Sequence, residues 1–119
     1  DNKKSMGATE RNMNISREFK NLAVRNNIPI IDITAATADD ITDQDNPPMM
    51  SQVAWSKAIE YDADMAMAIH KYKGTDMIEI VSRKNRHGHD FGVFLEWDIN
   101  RGIVKEIYEN PFADDTQKN

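Results

Sequence analysis

The sequence "MIEIVSRKNRHGHDFGVFLEWDINRGIVKEIYE", residues 77–109, alternates three apolar segments with two short polar turns. The apolar segments are rich in the β-branched and aromatic residues that favour strands, and each turn contains a glycine. Strands joined by tight turns pair antiparallel, whereas parallel strands need a longer crossover between them. The pattern therefore predicts an antiparallel meander with strands near residues 76–85, 91–98 and 103–109.

A helical pattern followed by a short apolar run lies near the start of the chain. Residues 9–27 begin with Thr9, a residue type that caps helix N-termini. Apolar side chains recur at helical spacing along one face of this segment: Ile15, Phe19, Leu22 and Ala23. The run "IPIIDIT" at residues 28–34 follows, and its isoleucine content predicts a buried strand.

A second helix and strand follow a long polar stretch at residues 35–50. Pro47–Pro48 in that stretch prevents a helix or a central strand. Ser51 then begins a helical pattern over residues 51–63, and "MAMAIHKY" at 65–72 predicts another buried strand. Strands separated by helices pair in parallel. The predicted fold class is therefore α/β, a mixed sheet with a parallel centre and antiparallel edge strands.

Composition limits the class of protein. The chain has 119 residues, of which 39% are apolar and 29% charged, as in ordinary globular domains. No apolar run approaches the about 20 residues that cross a bilayer, and the first residues lack a signal-peptide pattern. Cysteine is absent, which excludes disulfides and thiolate metal sites. Because the net charge is −5, we expect nucleic acid to be contacted only through a local basic patch.

A local basic patch lies at the end of the first meander strand. The segment "RKNRHG" at residues 83–88 places three cations within four positions and ends in glycine. One interpretation is a hairpin turn whose charges contact water, which is the usual role of a charge run. The other is a rigid strand tip that presents cations to an anionic ligand.

Other polar clusters carry weaker signals. His87 and His89 have ligand chemistry, but imidazoles on a turn usually face solvent, so we predict no metal site there. The acidic segment at residues 38–45 lacks the central glycine and closing glutamate of a calcium loop. Asp62 and Asp64 flank a predicted helix-to-strand junction, where we expect structural capping rather than catalysis.

Four stretches, taken in chain order, resemble one protein family. They are "ISREFKNLAVRNNIPII", "PPMMSQVAWSKAIEYDAD", "MAMAIHKY" and "KNRHG". From Ile15 to about Glu109 the sequence resembles the C-terminal half of the RecA-like motor domain of DnaB-type hexameric replicative helicases, including phage versions. The resemblance implies one partial domain over residues 1–119, the C-terminal part of a RecA-like P-loop NTPase fold, with a disordered tail at 110–119.

The resemblance gives the basic patch a role in ATP hydrolysis. In that family a Lys-x-Arg pair reaches across the subunit boundary to the nucleotide of the neighbouring subunit. Lys84 and Arg86 match this pair, which implies an arginine finger at Arg86 and a phosphate contact at Lys84, both acting in trans. A guanidinium suits the first role because its planar N–H groups bind phosphoryl oxygens bidentately. Strand alternation places Lys84 on the same side, and Gly88 lets the turn close.

The family also contacts DNA through a loop that enters the "PMMS" helix. The matching positions are Ala54, Trp55 and Lys57, where many relatives carry Arg, Glu and Gly. Lys57 has the charge to contact a phosphate. Trp55 has a ring that stacks on a base, although a tryptophan at helical spacing with other apolar residues also fits a protein core. Lys3 and Lys4 lie where a second DNA loop is expected.

Two departures from the family pattern concern ATP. The family's γ-phosphate sensor is a glutamine, which Ala35 replaces here, with Thr34 or Thr37 as nearby hydroxyl substitutes. The phosphate loop G-x-x-x-x-G-K-[ST] and the metal-binding Asp strand are absent from these residues. We therefore expect the complete protein to use ATP and Mg²⁺, with the Mg²⁺ ligands outside this segment. This segment alone is therefore not expected to hydrolyse ATP. We expect it to be a fragment, one half of a split protein or a degenerate relative of the family.

The resemblance also implies partners and leaves two rival functions. The expected partners are single-stranded DNA, copies of the same protein in a hexameric ring, and a primase or helicase loader, with no membrane contact. The expected location is the cytoplasm of a bacterial or phage-infected cell. The expected function is part of an ATP-dependent replicative DNA helicase that unwinds duplex DNA. The rivals are a non-catalytic RecA-like module that binds DNA or a partner helicase, and a recombinase-type RecA relative.

Overall fold

The computed structural model describes residues 7–36, 46–52 and 56–109, which form an α/β arrangement of two helices and a four-stranded sheet. In chain order the elements are α1 (Ala8–Asn26), a 3-10 turn (Met50–Gln52), α2 (Ser56–Asp62), β1 (Met65–Lys71), β2 (Met77–Asn85), β3 (Gly92–Asp98) and β4 (Ile103–Ile107).

The sheet is an antiparallel meander in the order β1-β2-β3-β4. Short turns join consecutive strands, and each strand pairs with the one before it. The register places Ile80 opposite Val93 and Ile78 opposite Leu95, so apolar side chains meet across the strands on one face. Ile78 is only 8% exposed and belongs to the small core. The antiparallel arrangement predicted for the last three strands is confirmed.

The strand predicted at residues 28–34 is not formed. This segment is irregular, and Ile31 and Ile33 are 88% and 92% exposed. A strand needs a neighbouring strand to accept its backbone hydrogen bonds, and none of the described strands lies beside this segment. No parallel pair is found among the described strands either, because β1 is connected by a tight turn to β2 and pairs with it antiparallel.

Helix α1 matches its predicted span closely, but its N-cap differs from the prediction. The helix begins at Ala8 after Gly7, and no side chain caps it, so the prediction that Thr9 is the N-cap was wrong. Asn27 ends the helix in a left-handed conformation, with φ 52° and ψ 47°, and its N–H bonds back to the last turn. Asparagine tolerates this conformation better than most residues do.

Helix α2 does not begin at Ser51 as predicted. Its described part begins at Ser56, and Ser51 lies in the 3-10 turn rather than capping a helix over residues 51–63. Residues 53–55 lie outside the described part of the chain. Ala58 of α2 is 7% exposed, which makes this helix part of the core.

The two helices are joined by an ion pair. Arg17 Nε of α1 donates to Asp62 Oδ1 at the end of α2 over 2.9 Å. Asp62 is buried, with 9% of its side chain exposed, whereas the Arg17 side chain is largely exposed. Neither described helix is long and apolar enough to cross a membrane.

Candidate functional site

Lys84 and Arg86 lie together at the C-terminal end of α2. Lys84 Nζ donates to the carbonyl oxygen of Glu60, and Arg86 Nη2 donates to that of Tyr61 over 3.1 Å. The last carbonyl groups of a helix have no partner within the helix and carry the negative end of its dipole, so cations are favourable there. The two cations share this partner helix, but Arg86 follows the last residue of β2, so strand alternation does not apply to it and its predicted side stays a prediction.

Asp64 is the charged partner of Arg86. Arg86 Nη1 donates to Asp64 Oδ1 over 2.7 Å, and the backbone N–H of Arg86 donates to the Asp64 carbonyl oxygen over 2.9 Å. Lys20 of α1 donates to both carboxylate oxygens, each over 2.8 Å. The Lys20 hydrogen bond, assisted by the charges of Lys20, Arg86 and His87, holds the pKa of Asp64 below its ordinary value.

Arg86 is accessible from outside the chain, whereas Lys84 is half-buried. The Arg86 side chain is 39% exposed and the Asp64 side chain 51%. The contacts to Tyr61 and Asp64 engage one N–H on each terminal nitrogen of the Arg86 guanidinium. Because a guanidinium has further N–H groups, an external anion is able to bind Arg86 while these contacts persist. The geometry therefore fits recognition of a phosphate or a carboxylate.

The third cation of this segment, Arg83, lies in a β-bulge and has different partners. The β1–β2 register pairs Met67 with Ser82 and Ala66 with Lys84, so Arg83 is the extra residue of a β-bulge. Arg83 donates from Nε and Nη2 to the carbonyl oxygens of Pro48 and Pro47, each over 2.9 Å. Arg83 therefore anchors the Pro47–Pro48 loop, whereas Lys84 and Arg86 contact α2.

The anchored loop covers a cavity. The cavity has a volume of about 880 Å³. It is lined by three residues of β2 and five residues that precede α2: Glu79, Val81 and Arg83, with Asn46, Pro47, Met49, Ser51 and Gln52. The sequence predicted a long loop here but did not indicate the cavity or the role of Arg83. The one available signal was the pair of prolines, since their carbonyl oxygens remain acceptors although the rings remove the N–H donors.

The hairpin that carries the cations is fixed by a serine. The buried Ser82 hydroxyl donates to Asp90 Oδ1 over 3.1 Å and accepts the backbone N–H of Phe91 over 2.9 Å. The backbone N–H of Ser82 also donates to the Phe91 carbonyl oxygen. These bonds close the hairpin behind Arg86, so the strand tip that carries Arg86 is held on both of its sides.

Gly88 lies close to the side chain of Asn85 in the turn. Asn85 Nδ2 donates to the His89 carbonyl oxygen over 2.8 Å, and a Cβ at position 88 would lie 2.8 Å from the same nitrogen. The prediction that Gly88 lets the turn close stays a prediction, because Gly88 does not have a positive φ and the neighbouring atom is the end of a side chain. His87 and His89 are exposed, and within the described ranges no group of three or more metal-binding side chains is found.

The two aspartates near the end of α2 act through ion pairs. Sequence reasoning expected capping, but the side-chain bonds of Asp62 and Asp64 go to Arg17, Lys20 and Arg86. The roles of Lys20 and Asp64 beside Arg86 were therefore missed. The sequence did contain a signal for these ion pairs. Arg17 and Lys20 lie one helical turn apart on α1, and two aspartates flank the junction between α2 and β1.

The predicted DNA-contacting residues are only partly covered by the structure. Lys57 is exposed in the first turn of α2, at the opposite end from the carbonyl groups that Lys84 and Arg86 contact. Ala54 and Trp55 lie outside the described residues, as do Lys3 and Lys4.

The nucleotide-sensing and acidic segments are covered only in part as well. Thr34 and Ala35 are described and exposed, in irregular chain. Thr37, the acidic segment at residues 38–45 and the predicted tail at 110–119 lie outside the described residues.

Comparison with known proteins gives one family. The profile of the DnaB-like helicase C terminal domain matches residues 2–102. The chain is 35% identical over 97 residues to a probable plasmid replicative DNA helicase of Chlamydia muridarum, covering 79% of this chain and 21% of that protein. It is 31% identical over 114 residues to replicative DNA helicase DnaB of Mycoplasma pneumoniae, covering 83% of this chain and 24% of that protein. The chain thus spans between a fifth and a quarter of the length of these relatives.

Proposed function

Because this chain belongs to the DnaB-like helicase C-terminal domain family, we propose that it is part of an ATP-dependent replicative DNA helicase that unwinds duplex DNA. Within that enzyme it forms the C-terminal part of the RecA-like motor domain. The observation that carries the proposal is the pair of cations at the end of β2, the half-buried Lys84 and the exposed Arg86, which the end of α2 holds in place. An acidic chain that concentrates cations at a rigid point is suited to bind an anion there.

Arg86 is the arginine finger and Lys84 the phosphate contact, both acting on the nucleotide of the neighbouring subunit. Phosphoryl transfer develops negative charge on the γ-phosphoryl oxygens, and a preplaced guanidinium stabilises that charge. The unused N–H groups of Arg86 fit these oxygens, while Lys84 supplies a point charge beside them. Mg²⁺, when bound, would neutralise phosphate charge, and we expect its ligands to come from residues outside this chain.

The proposed assembly is a hexameric ring around single-stranded DNA, in which each chain presents its strand tip to the next subunit. Lys57, with Ala54 and Trp55 of the preceding loop, contributes to the DNA channel. A primase or helicase loader is the expected further partner, and the cytoplasm the expected location. The parallel centre of the sheet is completed by strands of the complete protein that lie outside this chain.

A second candidate function is a RecA-like module that binds DNA or a partner helicase without hydrolysing ATP. The observation that favours it is Ala35, which stands where the family's glutamine sensor is expected and has no side-chain hydrogen-bonding group. The nearby Thr34 is exposed in irregular chain. Measured ATP turnover by the complete protein separates the two candidates, and a helical filament rather than a ring would indicate the recombinase-type rival.

The direct test is Arg86→Ala in the complete protein. We expect ATP hydrolysis to fall by up to about 10³- to 10⁵-fold with nucleotide affinity largely kept, because a finger acts mainly on the transition state. Arg86→Lys should not restore turnover, since an ammonium group lacks the planar fork. Arg101→Ala is the matched control, because Arg101 is an exposed arginine on another hairpin turn. Unchanged hydrolysis in Arg86→Ala would instead support the interpretation of residues 83–88 as a hairpin turn whose charges contact water.

A mixing experiment tests whether Arg86 acts in trans. Subunits carrying Arg86→Ala are combined with subunits whose phosphate loop is disabled, and turnover is compared with each variant alone. Mixed rings contain some interfaces in which an intact nucleotide site faces an intact Arg86, so activity should partly return. If Arg86 served its own subunit's site, mixing would restore nothing.

A further inference from the structure

Arg86 is oriented by contacts that converge from one junction of the chain. Its guanidinium bonds to the Asp64 carboxylate and the Tyr61 carbonyl oxygen, and its backbone N–H bonds to the Asp64 carbonyl oxygen. Asp64 lies directly before β1, between the end of α2 and the start of the sheet. One residue therefore binds both the backbone and the side chain of Arg86.

We propose that Asp64 is a positioning residue for the arginine finger. The proposal rests on the proposed function of Arg86 and adds a role for a residue that does not itself touch the nucleotide. A flexible arginine that is 39% exposed samples many rotamers, and its effect on a transition state depends on being in place beforehand. Asp64 restricts those rotamers while leaving other guanidinium N–H groups available for phosphate oxygens.

Lys20 makes this arrangement compatible with catalysis. A carboxylate that paired only with Arg86 would partly neutralise the cation on which the finger depends. Lys20 donates to both oxygens of Asp64, so the carboxylate charge is shared with a second cation that lies on α1. The low pKa of Asp64 agrees with this sharing, because the Lys20 hydrogen bond is its main cause. Together Lys20, Asp64, Lys84 and Arg86 carry a net positive charge, which suits them to face a phosphate.

The test replaces Asp64 in the complete protein. In Asp64→Ala we expect kcat for ATP hydrolysis to fall by about 10- to 100-fold, the loss typical of a misplaced catalytic group, with KM for ATP unchanged. Asp64→Asn keeps an oxygen that accepts from Arg86 and should lose less activity than Asp64→Ala. Asp98→Ala is the matched control, because Asp98 is also a partly exposed aspartate paired with an arginine, on the β3–β4 turn.

A binding measurement separates positioning from a general loss of structure. Asp64→Ala should weaken binding of the transition-state analogue ADP–aluminium fluoride to the ring while binding of a non-hydrolysable ATP analogue stays unchanged. A folding defect would lower the affinity for both nucleotides. Equal loss for both in Asp64→Ala and also in the milder Asp64→Asn would overturn the proposal.

Combination with Arg86→Ala tests whether Asp64 works through Arg86. In single-turnover hydrolysis the double variant should be no slower than Arg86→Ala alone, because a positioning residue has no effect once its finger is gone. An equal fall in both backgrounds would show a separate role for Asp64. A rise in turnover in Asp64→Ala would also contradict the proposal, since Asp64 would then restrain the finger.

The same variants distinguish a failure of the positioning role of Asp64 from a failure of the finger role of Arg86. If Arg86→Ala abolishes turnover and Asp64→Ala does not lower it, the finger stands and the positioning role is refuted. If Arg86→Ala leaves turnover unchanged, the finger assignment fails and the role of Asp64 fails with it.

Discussion

The three cations of residues 83–86 have different partners although they are nearly adjacent in sequence. Arg83 is bulged and bonds to the Pro47 and Pro48 carbonyl oxygens, while Lys84 and Arg86 bond to the last turn of α2. Alternation along a strand predicted that Lys84 and Arg86 share a side, but Arg86 lies in the turn after β2, where alternation no longer applies. The partners were not predictable, because contacts between residues 20 or more positions apart depend on how helices and strands pack.

Lys57 provides a prediction about DNA binding. In the complete protein, Lys57→Ala should weaken single-stranded DNA binding and reduce the slope of log affinity against log salt by about 0.7, the value for one lost phosphate contact. Affinity measured across a salt series gives this slope. Lys73→Ala is the control, because Lys73 is exposed in the turn at the far end of β1. An unchanged slope and affinity in Lys57→Ala would place Lys57 on the solvated surface.

Among the elements, α1 and α2 are joined by an ion pair to a buried carboxylate. Asp62 is 9% exposed and accepts from Arg17 across the helix pair. Burial of a carboxylate is unfavourable unless donors satisfy it. The ion pair therefore fixes the position of α1 on α2, and α1 in turn carries Lys20 to Asp64.

Arg17→Ala should loosen the helix pair. Removal of the donor leaves a mostly buried carboxylate, and because Arg17 is itself exposed we expect a moderate loss of about 1–2 kcal/mol of local stability. Hydrogen exchange of the α2 amides in the complete protein should then be about 5- to 30-fold faster. Arg25→Ala on the same helix is the control, since Arg25 is exposed in the last turn of α1. Equal exchange in both variants would show that Arg17 does not hold α2.

Sequence patterns predicted elements defined by local turns better than elements defined by distant neighbours. The meander strands were placed within a few residues because Gly74, Gly102 and the polar turns mark their ends. The start of α2 was misplaced because Ser51 fits a cap that the chain uses for a 3-10 turn instead. The segment at 28–34 has the composition of a buried strand, but composition cannot supply the partner strand that pairing requires.

At the scale of the molecule, the described residues leave much apolar surface uncovered. Of its described hydrophobic side chains only Ala58 and Ile78 are buried, while Ile31 and Ile33 are almost fully exposed. Isolated domains of this length usually bury a larger core. In the proposed helicase, we expect these apolar segments to pack against other parts of the motor domain.

A dye-binding experiment tests this description. The isolated chain should enhance the fluorescence of the apolar dye ANS, and Ile31→Ser combined with Ile33→Ser should reduce that enhancement. Asp32→Asn combined with Thr34→Ser is the control, since it changes the same segment without removing apolar surface. If the isoleucine variant bound as much dye as the control, Ile31 and Ile33 would be covered already in the isolated chain.

Helix α2 is short, and that shortness has a mechanical consequence. Lys57 lies in its first turn and Tyr61 in its last, about 6 Å apart along the axis at the usual rise per residue. A helix of this length is stiff, and its C-terminal end is bonded to Lys84 and Arg86. In the proposed helicase, a DNA strand that pulls on Lys57 would therefore move the finger together with Lys57. No flexible segment lies between Lys57 and Tyr61 to absorb the movement. Movement of the DNA and hydrolysis of ATP would then be coupled directly through helix α2.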